Sequence, residues 1–263
     1  MTMADSNNID SSLLIDLASN TDLNDLSSNF LGFNMFESMG MARQEIRHSN
    51  ALATILNPNS ELGVGAFIFR HLMRSVFSDN KDDLPRGLNT IGQLDFEIAD
   101  YQDLLIKREY KYIDLLMISH SNKHVFVIEN KVGASESDQQ LVRYQNTINE
   151  EFSDYQKLFM FLTPDKEEAT EDWLTVSYLE VVDAIEDFLA EHSNITVEPK
   201  VFLKHYLDLL KRHVVTDQKL IILANKIYEQ NRAALDFIFE NKNDEIQVFN
   251  DSLTDALKKN ELF

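Results

Sequence analysis

Residues 111–131, KYIDLLMISHSNKHVFVIENK, decide how this chain is read. Two apolar runs, 111–119 and 123–130, flank Ser121-Asn122, which predicts a β-hairpin. Side chains alternate across a strand, so Val125, Val127, Glu129 and Lys131 share one face. Phe126, Ile128 and Asn130 share the other. An apolar strand ending in a carboxylate and an amine on one face is unusual, because buried charges are costly unless paired or metal-bound. Asp114, between Ile113 and Leu115, falls near the height of Glu129 in such a hairpin. Spacing alone leaves two readings. One is a buried Asp–Lys or Glu–Lys ion pair. The other is a site where Asp114, Glu129 and the Asn130 carbonyl hold a divalent ion, Mg²⁺ or Mn²⁺. Lys131 would then orient a water or stabilise charge on a phosphate.

Upstream of the hairpin, 11–39 and 43–56 carry apolar residues at helical spacing, and AFIFRHLMRSVF reads as a further helix. Residues 93–99 and 103–109 look extended. Downstream, a helix is expected over 136–152, with Ser135 as N-cap and Asp138 three residues on. Strands follow over 157–162 and 175–177, then helices over 179–192, 199–214, 217–240 and 244–260. This order predicts an α/β fold: a central mixed β-sheet flanked by helices. The expected organisation is an N-terminal helical extension (1–42), a core (43–215) and a C-terminal helical extension (216–263).

The chain has 263 residues and no cysteine, which excludes disulfides and Cys-ligated zinc. No apolar run has the length of a membrane span, and the acidic start lacks the basic, apolar character of a signal peptide, so a cytoplasmic location is expected. The net charge is −20, which argues against binding nucleic acid by bulk electrostatics. The distribution is uneven. Residues 101–147 hold 6 acids and 6 bases, whereas 148–200 hold 14 acids and 3 bases. Surface acids beyond a Debye length of about 8 Å are largely screened, so a local phosphodiester site remains compatible with the total.

Asp114 with Glu129-Asn130-Lys131 resembles the signature of the PD-(D/E)XK nuclease superfamily, the restriction-endonuclease-like proteins. Glu45-Ile46-Arg47-His48-Ser49 with Leu56-Asn57-Pro58 is similar to the family's first core helix. Arg108-Glu109 and Ile113-Asp114-Leu115-Leu116 resemble its second strand region. Gln140-Leu141-Val142-Arg143-Tyr144 resembles the Gln-containing helix of one subgroup, and Phe161-Leu162-Thr163-Pro164 and Val176-Ser177-Tyr178 match the strands that follow. The E-x-K alone is a weak signal; the ordered set, over roughly 43–210, is a specific one. Ile113 stands where the family's nominal pair has proline, a departure many members share.

The resemblance implies a restriction-endonuclease-like core with Asp114 and Glu129 as metal ligands and Lys131 as the catalytic lysine. Glu45 would point into the same site, and Gln140 would orient substrate or lysine. It also implies a setting in bacterial or phage defence or DNA processing. Beside these stand residues with blander alternatives. His48 is a ligand, a proton shuttle or a hydrogen-bonded helix histidine. Arg143, Arg108 and Lys111 are phosphate contacts or solvated surface cations. Glu109 is an outer carboxylate of the site. His120 and His124, beside the hairpin turn, are expected on the surface. The functional expectation is a Mg²⁺- or Mn²⁺-dependent nuclease acting on nucleic acid, DNA foremost, as a homodimer or with a basic partner protein. The rival is a catalytically weak or inactive binding or regulatory module on the same fold.

Overall fold

The structure is a computed structural model that describes residues 11–30, 32–81, 84, 89–133, 138–169, 172–215 and 218–241. The elements run α1 (Ser11–Ala18), α2 (Thr21–Phe30), α3 (Met35–Ser38), α4 (Glu45–Ile55), α5 (Gly65–Asp79), α6 (Gln93–Ile98), β1 (Leu105–Tyr110), β2 (Ile113–Ser119) and β3 (His124–Asn130). They continue with α7 (Asp138–Glu151), β4 (Gln156–Thr163), β5 (Leu174–Ser177), α8 (Tyr178–Glu191), α9 (Val197–His213), α10 (Gln218–Gln230) and α11 (Arg232–Asn241).

The chain divides into two compact units. One spans Gly32–Thr216 and holds the sheet. The other joins the two chain ends through α1, α2, α10 and α11, with Leu17, Ile227 and Ala234 buried and an ion pair between Asp22 and Lys226.

The five strands lie in sequence order, β1 to β5. β1, β2 and β3 are antiparallel; β3, β4 and β5 are parallel. The crossover from β3 to β4 is α7, as parallel neighbours require. α7 covers one face with Leu141, Tyr144, Ile148 and Phe152 over Val125, Val127, Phe159 and Phe161. The other face packs Phe126, Ile128, Met117 and Leu158 against α4, α5, α6, α8 and α9. Helices on both faces explain why β2, β3 and β4 read as nearly continuous apolar runs rather than alternating ones. The fold is therefore the expected mixed α/β sheet flanked by helices.

Four local expectations change. Of the residues 93–99 expected as a strand, Gln93–Ile98 form helix α6. Leu94, Phe96 and Ile98 alternate, but only Phe96 is buried, against Phe69, Phe77 and Tyr101; Leu94 and Ile98 are exposed. Arg74 holds the segment to α5 through a bidentate contact to Glu97 at 2.8 Å on each oxygen. The stretch 11–39 is broken into three helices. The β2–β3 connection is a four-residue loop, because Ser119 pairs with His124, and Lys123 takes a left-handed conformation at φ 53°. His124 is buried, not exposed: its ring bonds the Tyr101 hydroxyl at 2.8 Å and the Gln156 side chain at 3.0 Å. The N-cap expected at Ser135 and the helix expected over 244–260 lie outside the described residues. Among the described residues, no helix is long and apolar enough to cross a membrane.

Gly65 opens α5 directly on the backbone of the preceding turn. A Cβ there would lie 2.0 Å from the Asn57 carbonyl oxygen and 2.7 Å from the Pro58 nitrogen. Both are backbone atoms, so the turn itself must shift. Gly65→Ala is expected to cost about 3 kcal/mol through this overlap, despite alanine's better helix propensity. Urea unfolding checks it; a midpoint equal to or above that of the unmodified protein would contradict the close approach.

Candidate active site

β3 delivers its charged end to the C-terminal edge of the parallel strands. Val125 and Val127 face α7, so the strand's alternation puts Glu129 and Lys131 on that side too. Glu129 is 2% exposed. Its Oε1 accepts a hydrogen bond from Gln140 Nε2 at 3.1 Å and lies 3.4 Å from Lys131 Nζ. Gln140 also donates to the Tyr144 hydroxyl at 2.8 Å, one helical turn on, which fixes the amide over the carboxylate. On the other side of the lysine, Nζ is 3.5 Å from Glu45 Oε2. The second oxygen of Glu45 accepts the Val132 N–H at 3.2 Å. Lys131 thus stands between two carboxylates that reach it from different elements, β3 and the first turn of α4.

Asp114 enters from β2 at a break in the ladder. Arg108 pairs with Leu115 and Tyr110 with Ile113, with Glu109 and Asp114 between them. Glu109 is left-handed at φ 54°. Ile113 and Leu116 both pack on the α7 side, while Leu115 and Met117 pack on the other. The alternation therefore slips by one at Asp114, although the register stays the same on either side of the Glu109–Asp114 break. Asp114 Oδ2 accepts the Asn130 N–H at 2.8 Å. The Lys131 N–H goes the opposite way, to the Leu162 carbonyl of β4 at 2.9 Å. In a strand, N–H and C=O of one residue point to the same edge. The Asn130 carbonyl therefore opens on the β2 side, where the Asp114 carboxylate lies.

The site is rich in acid. Burial pushes the Asp114 carboxyl up to about 6; the Asn130 N–H and Lys131 oppose this, and Glu109 and Glu45 add to it. Hard oxygen donors predominate, with no sulfur and no histidine among them. Among the described residues, no three His, Cys, Asp or Glu side chains converge as a ready-made metal cage.

Of the sequence-predicted residues, the structure brings together Glu45, Asp114, Glu129, Asn130, Lys131 and Gln140, with Glu109 close enough to act on Asp114. His48 lies close enough to feel the charge of Glu45, but its ring bonds elsewhere. That ring is fully buried, with Nδ1 3.3 Å from the Tyr206 hydroxyl and Nε2 3.3 Å from the Ala42 carbonyl, and burial lowers its pKa. Arg143 lies exposed on α7 over the Tyr144 ring. Arg108 is exposed on edge strand β1, and Lys111 pairs with Glu151 at 2.8 Å. Spacing gave no hint of Tyr178, whose buried hydroxyl donates to Asn130 Oδ1 at 2.5 Å from 48 residues away. Nor did it show that Asn130 Nδ2 ties β3 to α4 through the Glu45 carbonyl at 3.2 Å and Ser49 Oγ at 3.1 Å.

The Asp114 shift has a consequence for stability. Its folded pKa lies above the unfolded value, so the fold prefers the protonated form. The stabilisation is present at low pH and is lost as pH rises through about 6. Asp114→Asn keeps an oxygen for the Asn130 N–H and stays neutral. At pH 8 without metal it is expected to be more stable than the unmodified protein by on the order of 2 kcal/mol. The gain should close as pH falls toward 4. Urea unfolding across pH in a chelator measures this; a gap of equal size at pH 4 and pH 8 would assign the effect to something other than ionisation.

A family model of the PD-(D/E)XK nuclease superfamily matches residues 33–207. No curated protein and no solved structure matches the chain. The matched span contains all five strands and the residues gathered around Lys131. With a mixed sheet carrying Asp114 near the start of β2 and Glu129-Asn130-Lys131 at the end of β3, this chain belongs to the PD-(D/E)XK nuclease superfamily.

Proposed function

We propose that this protein is a divalent-metal-dependent nuclease that hydrolyses phosphodiester bonds in nucleic acid, with DNA the foremost substrate. The observation that carries the reading is the convergence of Glu45, Glu129 and Lys131, with Asp114 adjoining, at one end of the sheet. Asp114, Glu129 and the Asn130 carbonyl fit Mg²⁺ or Mn²⁺: they are oxygen donors, too few to enclose an ion, and such cations keep several waters. The raised Asp114 pKa supports the same fit, since a carboxylate costly to ionise alone is relieved by a bound cation. When bound, the metal lowers the pKa of a water and offsets charge on the phosphate.

The chain's own residues do the rest. Lys131 Nζ, held by Glu45 and Glu129, orients the attacking water and donates to a phosphate oxygen as charge grows there. Gln140 fixes the Glu129 carboxylate, so that its orientation is set before substrate arrives. Water attacks phosphorus, the P–O bond to the leaving group breaks, and the water's proton passes toward the carboxylates. Arg108 and Lys111, beside Asp114 in sequence, meet the substrate backbone.

The test is cleavage of supercoiled, linear and single-stranded DNA and of RNA with Mg²⁺ or Mn²⁺. Lys131→Ala is expected to lower the rate about 10²–10³-fold. Calorimetry should show metal binding that Asp114→Asn and Glu129→Gln abolish. Metal binding without cleavage of any substrate would favour a binding or regulatory module on the nuclease fold. Absence of both metal binding and cleavage would overturn the reading.

A further inference from the structure

The β1–β2 hairpin turns in two residues, Lys111 and Tyr112, between the paired Tyr110 and Ile113. Both are left-handed, at φ 53° and 74°. Two successive residues with positive φ are the mark of a type I′ turn, for which Asn-Gly is the favoured pair. Here the pair is lysine and tyrosine, and Glu109 nearby is left-handed as well. Bulky side chains at such positions strain the backbone. Strain of this kind persists where the side chain has a use.

The side chains point to that use. Tyr112 is 79% exposed, more than any other large apolar side chain among the described residues. It sits two residues before Asp114, so their Cα atoms are within about 7 Å. Lys107, Arg108 and Lys111 lie within five positions of it. Lys107 and Lys111 are aligned over the Tyr110 ring at 4.9 and 5.6 Å, which spreads the cations along the edge strand. Lys107 and Lys111 stand on the α7 side of the hairpin beside Tyr112 in sequence, with Glu151 of α7 paired to Lys111, whereas Arg108, opposite Leu115, faces the other side.

We propose that Tyr112 is a stacking platform for an unpaired base, and that the hairpin tip selects single-stranded or frayed nucleic acid beside the catalytic site. The proposal rests on the nuclease reading and deepens it by naming the substrate class. Every base offers a π-face, so stacking on tyrosine is tolerant of sequence. Lys107, on the α7 side of the sheet, meets the backbone of the same strand. Lys111 exchanges Glu151, its present partner at 2.8 Å, for a phosphate. A duplex keeps its bases stacked internally and gains only the backbone contacts.

The experiment compares the unmodified chain with Tyr112→Gly and Tyr112→Phe. Glycine suits a φ of 74°, so Tyr112→Gly is expected to raise Tm by about 2–4 °C. The same variant should weaken binding of fluorescent single-stranded DNA and RNA oligonucleotides, with no metal added, about tenfold. Its affinity for blunt duplex should stay within about twofold, and its cleavage of single strands should fall while that of duplex holds. Tyr112→Phe keeps the ring and should behave as the unmodified chain. Unchanged single-strand affinity in Tyr112→Gly would overturn the stacking proposal, and a Lys131-dependent cleavage that survives intact would leave the nuclease reading standing. Equal loss on single strands and duplex would assign the tip to backbone binding alone and also overturn it. An unmodified chain that neither binds nor cleaves any nucleic acid would remove both.

Discussion

Asn130 is the joint on which the site depends. Its backbone N–H is given to Asp114, and its side-chain amide to the Glu45 carbonyl and to Ser49 Oγ. Its side-chain oxygen receives the Tyr178 hydroxyl. The residue is fully buried, so each of these bonds replaces one that water would otherwise make. Leaving one such group unsatisfied costs about 1–3 kcal/mol. Asparagine alone among residues of this size offers two donors and an acceptor on one uncharged side chain. Through it, β2, β3, α4 and the first residue of α8 are registered against one another. That registration sets where Glu45, Asp114, Glu129 and Lys131 stand.

The same constraint explains how a crowded set of carboxylates survives. Glu129 is buried, Asp114 nearly so, and the amine of Lys131 is set against Glu129 and Glu45. Removing charges from water is costly, and the pairing only partly offsets it. Burial raises the pKa of Asp114 for the same reason. The supporting scaffold is apolar on both faces of the sheet, so most of the packing lies outside the site. Stability comes from the packing of Phe126, Phe69, Phe96 and Tyr101 on one side and of α7 on the other. The charged end of β3 is free to be unfavourable by itself.

The central hairpin, its facing pattern and the order of strands and helices around it were legible in the sequence. They follow from period-two and helical spacing, which a single chain displays locally. Glu129 and Lys131 on one strand face, and Asp114 at their height, are consequences of that spacing. Segment 93–99 misled for the same reason: Leu94, Phe96 and Ile98 alternate as a strand would. Packing of Phe96 against Phe69 and Phe77 of α5 decided for helix there. His124 looked like a turn residue and is buried, because Tyr101 and Gln156 reach it from distant positions.

What the sequence by itself determined is the sheet, the helices that cover it, and the identity of the charged residues at its end. What only the tertiary structure decided is their arrangement. Lys131 between Glu45 and Glu129, Gln140 over Glu129, Tyr178 on Asn130, and His48 turned away into the core all depend on contacts between elements far apart in the chain. The slip in alternation at Asp114 and the left-handed turn at Lys111-Tyr112 belong to the same class. Local spacing fixes which face a side chain takes. Closure of the fold fixes which partner it finds there, because buried polar groups must be satisfied by whatever element packing brings within reach.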